Sequence, residues 1–353
     1  MQAPTTWMVY GANGYTGQLV ARESKRQGLA PILAGRSEGP VKALAEELGL
    51  AWRAFDLRDT AATRHALADI AVVAHCAGPF SATSRPMIEA CLVAKTHYLD
   101  ITGEIDVFVA IERQHDKAKA AGIVLCPGVG FDVIPTDCVA ACLKEALPDA
   151  THLALGFRGL RTMSPGTART SVAVASQGGR VRENGAIIEV PLAHRMRVID
   201  FGTGPRSAMT IPWGDVATAY FSTGIPNIEV YVPASRTSAV RMHRLNWVRP
   251  LMRLPPVQAL LKTAAARTNE GPSPKERESE KTYVWGEARN DIDEVLTARL
   301  TTSNGYRLTV DGVLMAVRTL LARAPEGGYY TPSQLMGPRC VERLPGSSAI
   351  RIE

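Results

Sequence analysis

Three glycines recur at every third position in Gly11-Ala12-Asn13-Gly14-Tyr15-Thr16-Gly17, directly after the apolar run Trp7-Met8-Val9-Tyr10 and at the head of a helical stretch ending near Gly28. A turn of this kind lets the backbone come within hydrogen-bonding range of a pyrophosphate, whose charge then sits at the positive end of the following helix. The spacing G-x-x-G-x-x-G is one residue looser than the dinucleotide fingerprint. Alone, the same glycines would also serve an ordinary turn and helix start. Gly11, Asn13, Gly14, Tyr15, Thr16 and Gly17 are the candidates for phosphate contact.

Arg36 stands about twenty positions past the glycines, where an NAD site carries an acid for the ribose hydroxyls. Arg36 and Ser37 instead offer donors for a 2′-phosphate, which predicts NADP; a plain surface arginine after a strand is the alternative. Asp56 closes the third strand candidate, either to meet the adenine amino group or to cap the next helix. Ala77-Gly78-Pro79 closes the fourth, where ligands lie in doubly wound sheets, although Gly and Pro also make simple turns.

Several common chemistries are absent from the sequence. None of the nine tyrosines has Lys four positions on, so the Tyr-x-x-x-Lys pair of short-chain dehydrogenases is missing. There is no P-loop, no G-x-S-x-G elbow and no H-E-x-x-H, and the seven histidines are dispersed. The six cysteines form no C-x-x-C pair, which points to reduced thiols in a cytoplasmic protein and to no metal site.

The elements that must position these residues alternate over the first 130 or so positions. Strands are expected at Trp7 to Tyr10, Pro31 to Ala34, Ala51 to Phe55, Ala71 to Cys76, Tyr98 to Ile101 and Ile123 to Cys126, with helices between them, one of which is expected to run unbroken from Ile105 to Ala121. That rhythm is the pattern of a Rossmann-type, doubly wound parallel sheet. After a helix from Pro135 to Leu147, segments such as Thr151 to Phe157 and Glu294 to Thr302 alternate like antiparallel strands with one wet face. The fold class is α/β, with a second mixed and largely antiparallel substrate domain.

The net charge of +6 lies in one place. Seven Lys/Arg residues and no Asp or Glu occur between Val230 and Asn269, and without them the chain is close to neutral, so nucleic acid is not an expected partner. Pro250, Pro255 and Pro256 should divide this stretch into short helices, followed by a solvated loop from Asn269 to Lys281. The start of the chain has no basic n-region or long apolar run, and no segment approaches the roughly 18 apolar residues of a membrane-spanning helix.

Taken together, the glycine turn, Ala34-Gly35-Arg36-Ser37, Ala77-Gly78-Pro79-Phe80, Tyr98-Leu99-Asp100-Ile101-Thr102-Gly103-Glu104 and Gly130-Phe131-Asp132-Val133-Ile134-Pro135-Thr136-Asp137 resemble the saccharopine dehydrogenase-like family. Tyr283 to Ala288 and Gly328 to Pro332 are similar to its trans-acting enoyl reductase branch. The resemblance implies an NADP-binding domain over 1–133, a substrate domain over 134–306 with a basic insertion at 234–281, and a helix and tail over 307–353 returning to the first domain. It also implies that Gly130 and Phe131 border the nicotinamide, and that Asp100, Glu104 and Asp132 shape the cleft or relay a proton; each of these acids could equally be a cap or turn residue.

Family resemblance leaves the substrate open. An enoyl group on a lipid or carrier-bound acyl chain would use an apolar channel and a docking surface, for which 236–267 is the candidate toward a membrane or an acyl carrier. A saccharopine-type imine would require paired arginines, drawn from Arg158, Arg161, Arg169, Arg180 and Arg182. A non-catalytic NADP sensor, and a homodimer, are further expectations.

Overall fold

The computed structural model describes residues 6–159, 162–267 and 271–353, and Arg161 and Asn269 lie outside them. The chain divides into two compact units. One holds residues 1–102, 106–131 and 309–336; the other holds 103–105, 132–308 and 337–353.

The first unit opens with β1 (Trp7–Tyr10), α1 (Tyr15–Arg26), β2 (Ile32–Gly35), α2 (Glu38–Leu48), β3 (Trp52–Ala54), α3 (Thr60–Leu67) and β4 (Val72–His75). It continues through α4 (Phe80–Ala94), β5 (His97–Asp100), α5 (Ile105–Glu112), α6 (His115–Ala121) and β6 (Val124–Cys126). The second unit contains α7 (Ile134–Ala146), β7 (His152–Arg158), α8 (Pro165–Gln177), β8 (Gly179–Glu183), β9 (Ala186–Val190), β10 (Met196–Asp200), β11 (Pro205–Thr210), α9 (Asp215–Thr223) and β12 (Asn227–Pro233). Then follow α10 (Arg236–Met252), α11 (Pro255–Arg267), α12 (Pro274–Ser279), β13 (Lys281–Arg289), β14 (Val295–Ser303), α13 (Gly305–Ala322), β15 (Gly328–Tyr329), α14 (Pro332–Met336), a short 3-10 turn at Cys340–Arg343 and β16 (Arg351–Ile352).

The first sheet runs β15-β6-β5-β4-β1-β2-β3, with every pair parallel. β1, β2, β4 and β6 are buried along their whole length, as continuous apolar runs in a sheet covered on both faces should be. The order reverses between β1 and β4, which makes the carboxyl ends of these two strands the crevice where such sheets take ligands. The second sheet runs β10-β11-β12-β7-β13-β14-β16, with only β12 and β7 parallel on that path. Its core gathers Ala154, Ile199, Phe201, Ala208, Tyr231 and Trp285. The doubly wound sheet with a mixed second sheet is the fold class read from the sequence.

Several elements differ from expectation. The expected single helix from Ile105 to Ala121 is two, α5 and α6, because the Gln114 N–H turns to the carbonyl of Ile111 rather than the fourth residue back. The expected loop from Asn269 to Lys281 holds α12, closed by a capping box between Ser273 and Glu276. Pro250 does not break α10, since it sits in the last turn and only one intrahelical bond is lost. β8, β10, β13 and α9 were not foreseen as elements. In β8, Arg180 and Arg182 interrupt the apolar pattern, and α9 is rich in Thr and aromatic residues of low helix propensity. The tail does not go where the helix before it goes: 309–336 belong to the first unit, whereas 337–353 belong to the second, where β16 pairs with β14.

Candidate functional site

In the first unit the glycine turn is set by close backbone approach. Gly11 has φ of 82°, and a Cβ on it would lie 2.8 Å from the Cβ and the N of Ala77 at the end of β4. A Cβ on Gly17 would fall 2.2 Å from the Gly11 carbonyl oxygen. The N–H groups of Gly11 and Ala12 both donate to the Ala34 carbonyl, at 2.7 and 3.0 Å, tying this turn to β2. Gly14, exposed and without a side chain, stands at the N-cap of α1, so this residue gives the helix no side-chain cap. Tyr15 and Thr16 begin that helix and are half-buried, as is Asn13, whose carbonyl accepts from the Gln18 amide at 3.0 Å.

Arg36 and Ser37 are exposed just past β2. Ser37 occupies the N-cap of α2, yet its hydroxyl caps nothing there. Both carboxylate oxygens of Asp56 accept from the Arg58 guanidinium, 2.6 Å at the shortest, and this partner holds the carboxyl down to about 2; Arg36 adds a smaller effect of the same sign. Asp56 is not the cap of α3, because Asp59 takes that place and accepts from the Ala62 N–H at 2.9 Å. Gly78 and Pro79 are exposed after β4, joined by a cis peptide.

Beneath this loop lies a residue that pattern reading passed over. His75 is fully buried, with its ring 5.5 Å from Tyr10, 5.4 Å from Phe80 and 6.1 Å from Tyr98. The Thr83 hydroxyl donates to the Ala77 carbonyl at 2.7 Å, so it accepts from His75 Nε2, 2.9 Å away. Burial pushes the imidazole down to about 3, which keeps it neutral. Its only sequence signal is a polar residue ending an otherwise apolar strand.

Asp100 ends β5 and is buried. Its Oδ2 accepts from the Tyr98 hydroxyl at 2.7 Å, and its Oδ1 from the N–H groups of Thr102 and Gly128 at 3.0 and 2.9 Å. These bonds make Asp100 a clasp between the ends of β5 and β6. Gly130 and Phe131 follow β6 and are held by α13. The Thr309 hydroxyl accepts from the Phe131 N–H at 3.0 Å, and a Cβ on Gly130 would lie 2.9 Å from the Thr309 methyl. Thr309 carried no motif and was not foreseen.

Glu104 and Asp132 belong to the second unit. Glu104 is half-buried at the start of α5. Asp132 keeps some exposed surface as a residue, but its carboxyl is packed closely enough that burial pushes it up to about 7. A Cβ on Gly103 would stand 2.9 Å from Asp132 Oδ2, so glycine is what admits the carboxyl there. The Trp213 indole N–H donates to the Asp132 carbonyl at 2.9 Å, and the Trp213 ring lies 4.7 Å from that of Phe157. Burial, with Asp137 and Asp132 adding to it, raises the Asp215 carboxyl well above the usual range, a second acid without a sequence motif.

Phe157 is also one wall of a cavity of about 630 Å³ in this unit, with Arg158, Val232, Pro233, Glu280, Lys281 and Tyr283. Of the arginines foreseen as carboxylate clamps, Arg182 spends its guanidinium on the Val216 and Gly185 carbonyls and the Tyr220 ring. Arg158 donates to the Thr203 hydroxyl and lies 5.5 Å from the Tyr283 ring centroid. Arg169 is exposed on α8 and Arg180 half-buried in β8. All six cysteines are free, and among the described residues no group of three or more His, Cys, Asp or Glu is placed to hold a metal ion. Among those residues, no helix is long and apolar enough to cross a membrane.

The glycine turn leaves α1 without a side-chain cap, and Arg36 with Ser37 offers cationic and hydroxyl donors at the end of β2, so the first unit fits a phosphorylated dinucleotide. Known proteins agree. The solved apo saccharopine dehydrogenase (L-Glu forming) from Saccharomyces cerevisiae superposes with a TM-score of 0.68 at 13% identity, covering 99% of both chains, which shows a shared fold. A saccharopine dehydrogenase-like oxidoreductase of Bos taurus is 29% identical over 158 residues, 38% of this chain and 36% of that one. A Mycobacterium tuberculosis protein whose name proposes a trans-acting enoyl reductase is 34% identical over 148 residues, 39% of this chain and 35% of that one. The matches thus span about a third of these relatives' length. Residues 7–126 match the family described as Saccharopine dehydrogenase NADP binding domain, so this part of the chain is similar to that NADP-binding domain.

Proposed function

We propose that this protein is an NADPH-dependent oxidoreductase that reduces an electron-poor carbon–carbon double bond, an enoyl group on a lipid or carrier-bound acyl chain. The observation that carries the reading is the second unit's cavity, where Phe157, Val232, Pro233 and Tyr283 give an apolar wall beside the charged Arg158, Glu280 and Lys281, with Arg158 already engaged by Thr203. An amino-dicarboxylate would want two free guanidinium forks. An acyl chain wants apolar wall.

Bound NADPH supplies the hydride. The turn from Gly11 to Gly17 would hold the pyrophosphate, and Arg36 with Ser37 the 2′-phosphate. Asp56, Ala77, Gly78, Pro79, Gly130 and Phe131 would line the remainder of the cofactor. Asp132, protonated below about 7, would give its proton to the carbon next to the carbonyl as hydride reaches the far carbon, and recover one from water. Glu104, half-buried in the same unit, would exchange that proton. Asp100 would keep the loops after β5 and β6 in register. Six free thiols suit a reducing, cytoplasmic setting.

The test is loss of nicotinamide absorbance when the protein meets NADPH and either enoyl thioesters or cyclic and linear imino acids. Turnover of the thioesters supports the reading. Turnover of imino acids alone replaces it with a saccharopine-type reductase, and NADPH binding without any turnover replaces it with a sensor.

A further inference from the structure

Helices α10 and α11 of the second unit turn large apolar side chains outward. Their inward side holds the buried Ala239 together with polar groups: Arg253 donates to the Ser176 and Gln177 carbonyls at 3.1 and 3.0 Å and lies 3.6 Å from Glu189. Asn246 Oδ1 accepts from the Leu192 N–H at 3.0 Å, and Gln258 donates to the Ser176 hydroxyl at 3.0 Å. The outward side of α10 instead shows Val240, Trp247, Val248 and Leu251 to solvent, 45, 87, 43 and 59% exposed. Those positions are i, i+7, i+8 and i+11, so they share one helical face. Leu254 beyond α10 and Leu260 on α11 are exposed as well.

Arg236, Arg241 and Arg244 lie on or beside the same face, exposed, and among the described residues none of the three has an ion-pair partner. No acid occurs from Val230 to Asn269. Globular proteins bury large apolar side chains and keep polar ones wet, so this reversal marks a surface made to be covered. We propose that the outer face of α10 and α11 docks on an anionic lipid surface, with Trp247, Leu251, Leu254 and Leu260 entering the headgroup region and the arginines meeting lipid phosphates. A second copy of this chain would bring the same positive charge to the contact and be repelled. Tryptophan among arginines is the composition that sits at a headgroup boundary. This docking is independent of which double bond the enzyme reduces.

The test is sedimentation of the intact protein with vesicles of phosphatidylglycerol and phosphatidylcholine in equal parts, and with phosphatidylcholine alone. Binding should appear with the anionic vesicles and fall away in about 1 M salt, where screening acts over about 3 Å. Trp247→Ala with Leu251→Ala should weaken it about tenfold or more, and Arg241→Glu with Arg244→Glu by a similar factor. Ile292→Ala, at an 82% exposed residue between β13 and β14, should leave it unchanged. All these variants lie on the surface and should keep their circular dichroism and NADPH affinity. Equal binding by Trp247→Ala/Leu251→Ala and the unaltered protein overturns the proposal. So does failure to bind anionic vesicles, or capture by an acidic acyl carrier through this face without any vesicle binding.

Discussion

Gly103 and the carboxyl of Asp132 touch so closely that a single methyl group at position 103 would stand 2.9 Å from Asp132 Oδ2. Gly103→Ala must therefore push the carboxyl aside, and if Asp132 delivers the proton, kcat should fall by about tenfold or more while NADPH affinity is kept. Stopped-flow binding of NADPH beside steady-state turnover separates the two effects.

The pH dependence of kcat should follow the same group. Its carboxyl is raised to about 7 by burial, so the proton-donating form is present below that value and is lost as pH rises through it. Activity should accordingly decline above about pH 7. Asp132→Asn should be slow and lack this limb; an unchanged limb in Asp132→Asn would assign it to another group.

Cofactor preference should rest on Arg36. Arg36→Ala is expected to raise the KM for NADPH about tenfold, which corresponds to about 1.4 kcal/mol, and to leave that for NADH nearly unchanged. Equal effects on both cofactors would remove Arg36 from the 2′-phosphate site. Gly11→Ala, at a φ of 82° and against Ala77, should cost more than about 1 kcal/mol and abolish NADPH binding.

Stability should fall on acidification because of His75. Burial lowers its folded-state value to about 3, below the ordinary 6.5, so its contribution is complete above 6.5 and is lost as pH drops toward 3. Relative to His75→Phe, urea unfolding of the unaltered protein should weaken below pH 6.5, by at most about 1.4 kcal/mol per pH unit. Parallel pH curves for the two proteins would refute this.

Thr309 should matter as an acceptor. Thr309→Val leaves the buried Phe131 N–H unsatisfied and should cost about 1 to 3 kcal/mol, whereas Thr309→Ser, which keeps the hydroxyl, should cost less. A larger loss in Thr309→Ser than in Thr309→Val would make the methyl contact with Gly130, not the hydrogen bond, the anchor.

What could be read from the residues in order was whatever depends on neighbours in the chain. The strand and glycine turn at Trp7 to Gly17, the apolar runs of β2, β4 and β6, and Arg36 at its distance from the glycines are local patterns, and they were enough for the Rossmann sheet and its NADP. The acids could not be sorted in this way. Asp56, Asp100 and Asp132 each follow a strand and look alike in sequence; one is paired with Arg58, one is closed by three donors, and one is buried and raised. Protonation depends on what surrounds a carboxyl in space, and those partners come from as far away as Gly128 for Asp100 and Trp213 for the Asp132 backbone. The same holds for α10, whose apolar residues are spread around more than one side of the helix. Its composition was legible, but which side of the helix met the protein was settled only by packing, which satisfied the polar groups of Asn246 and Arg253 and left Trp247 and Leu251 outside.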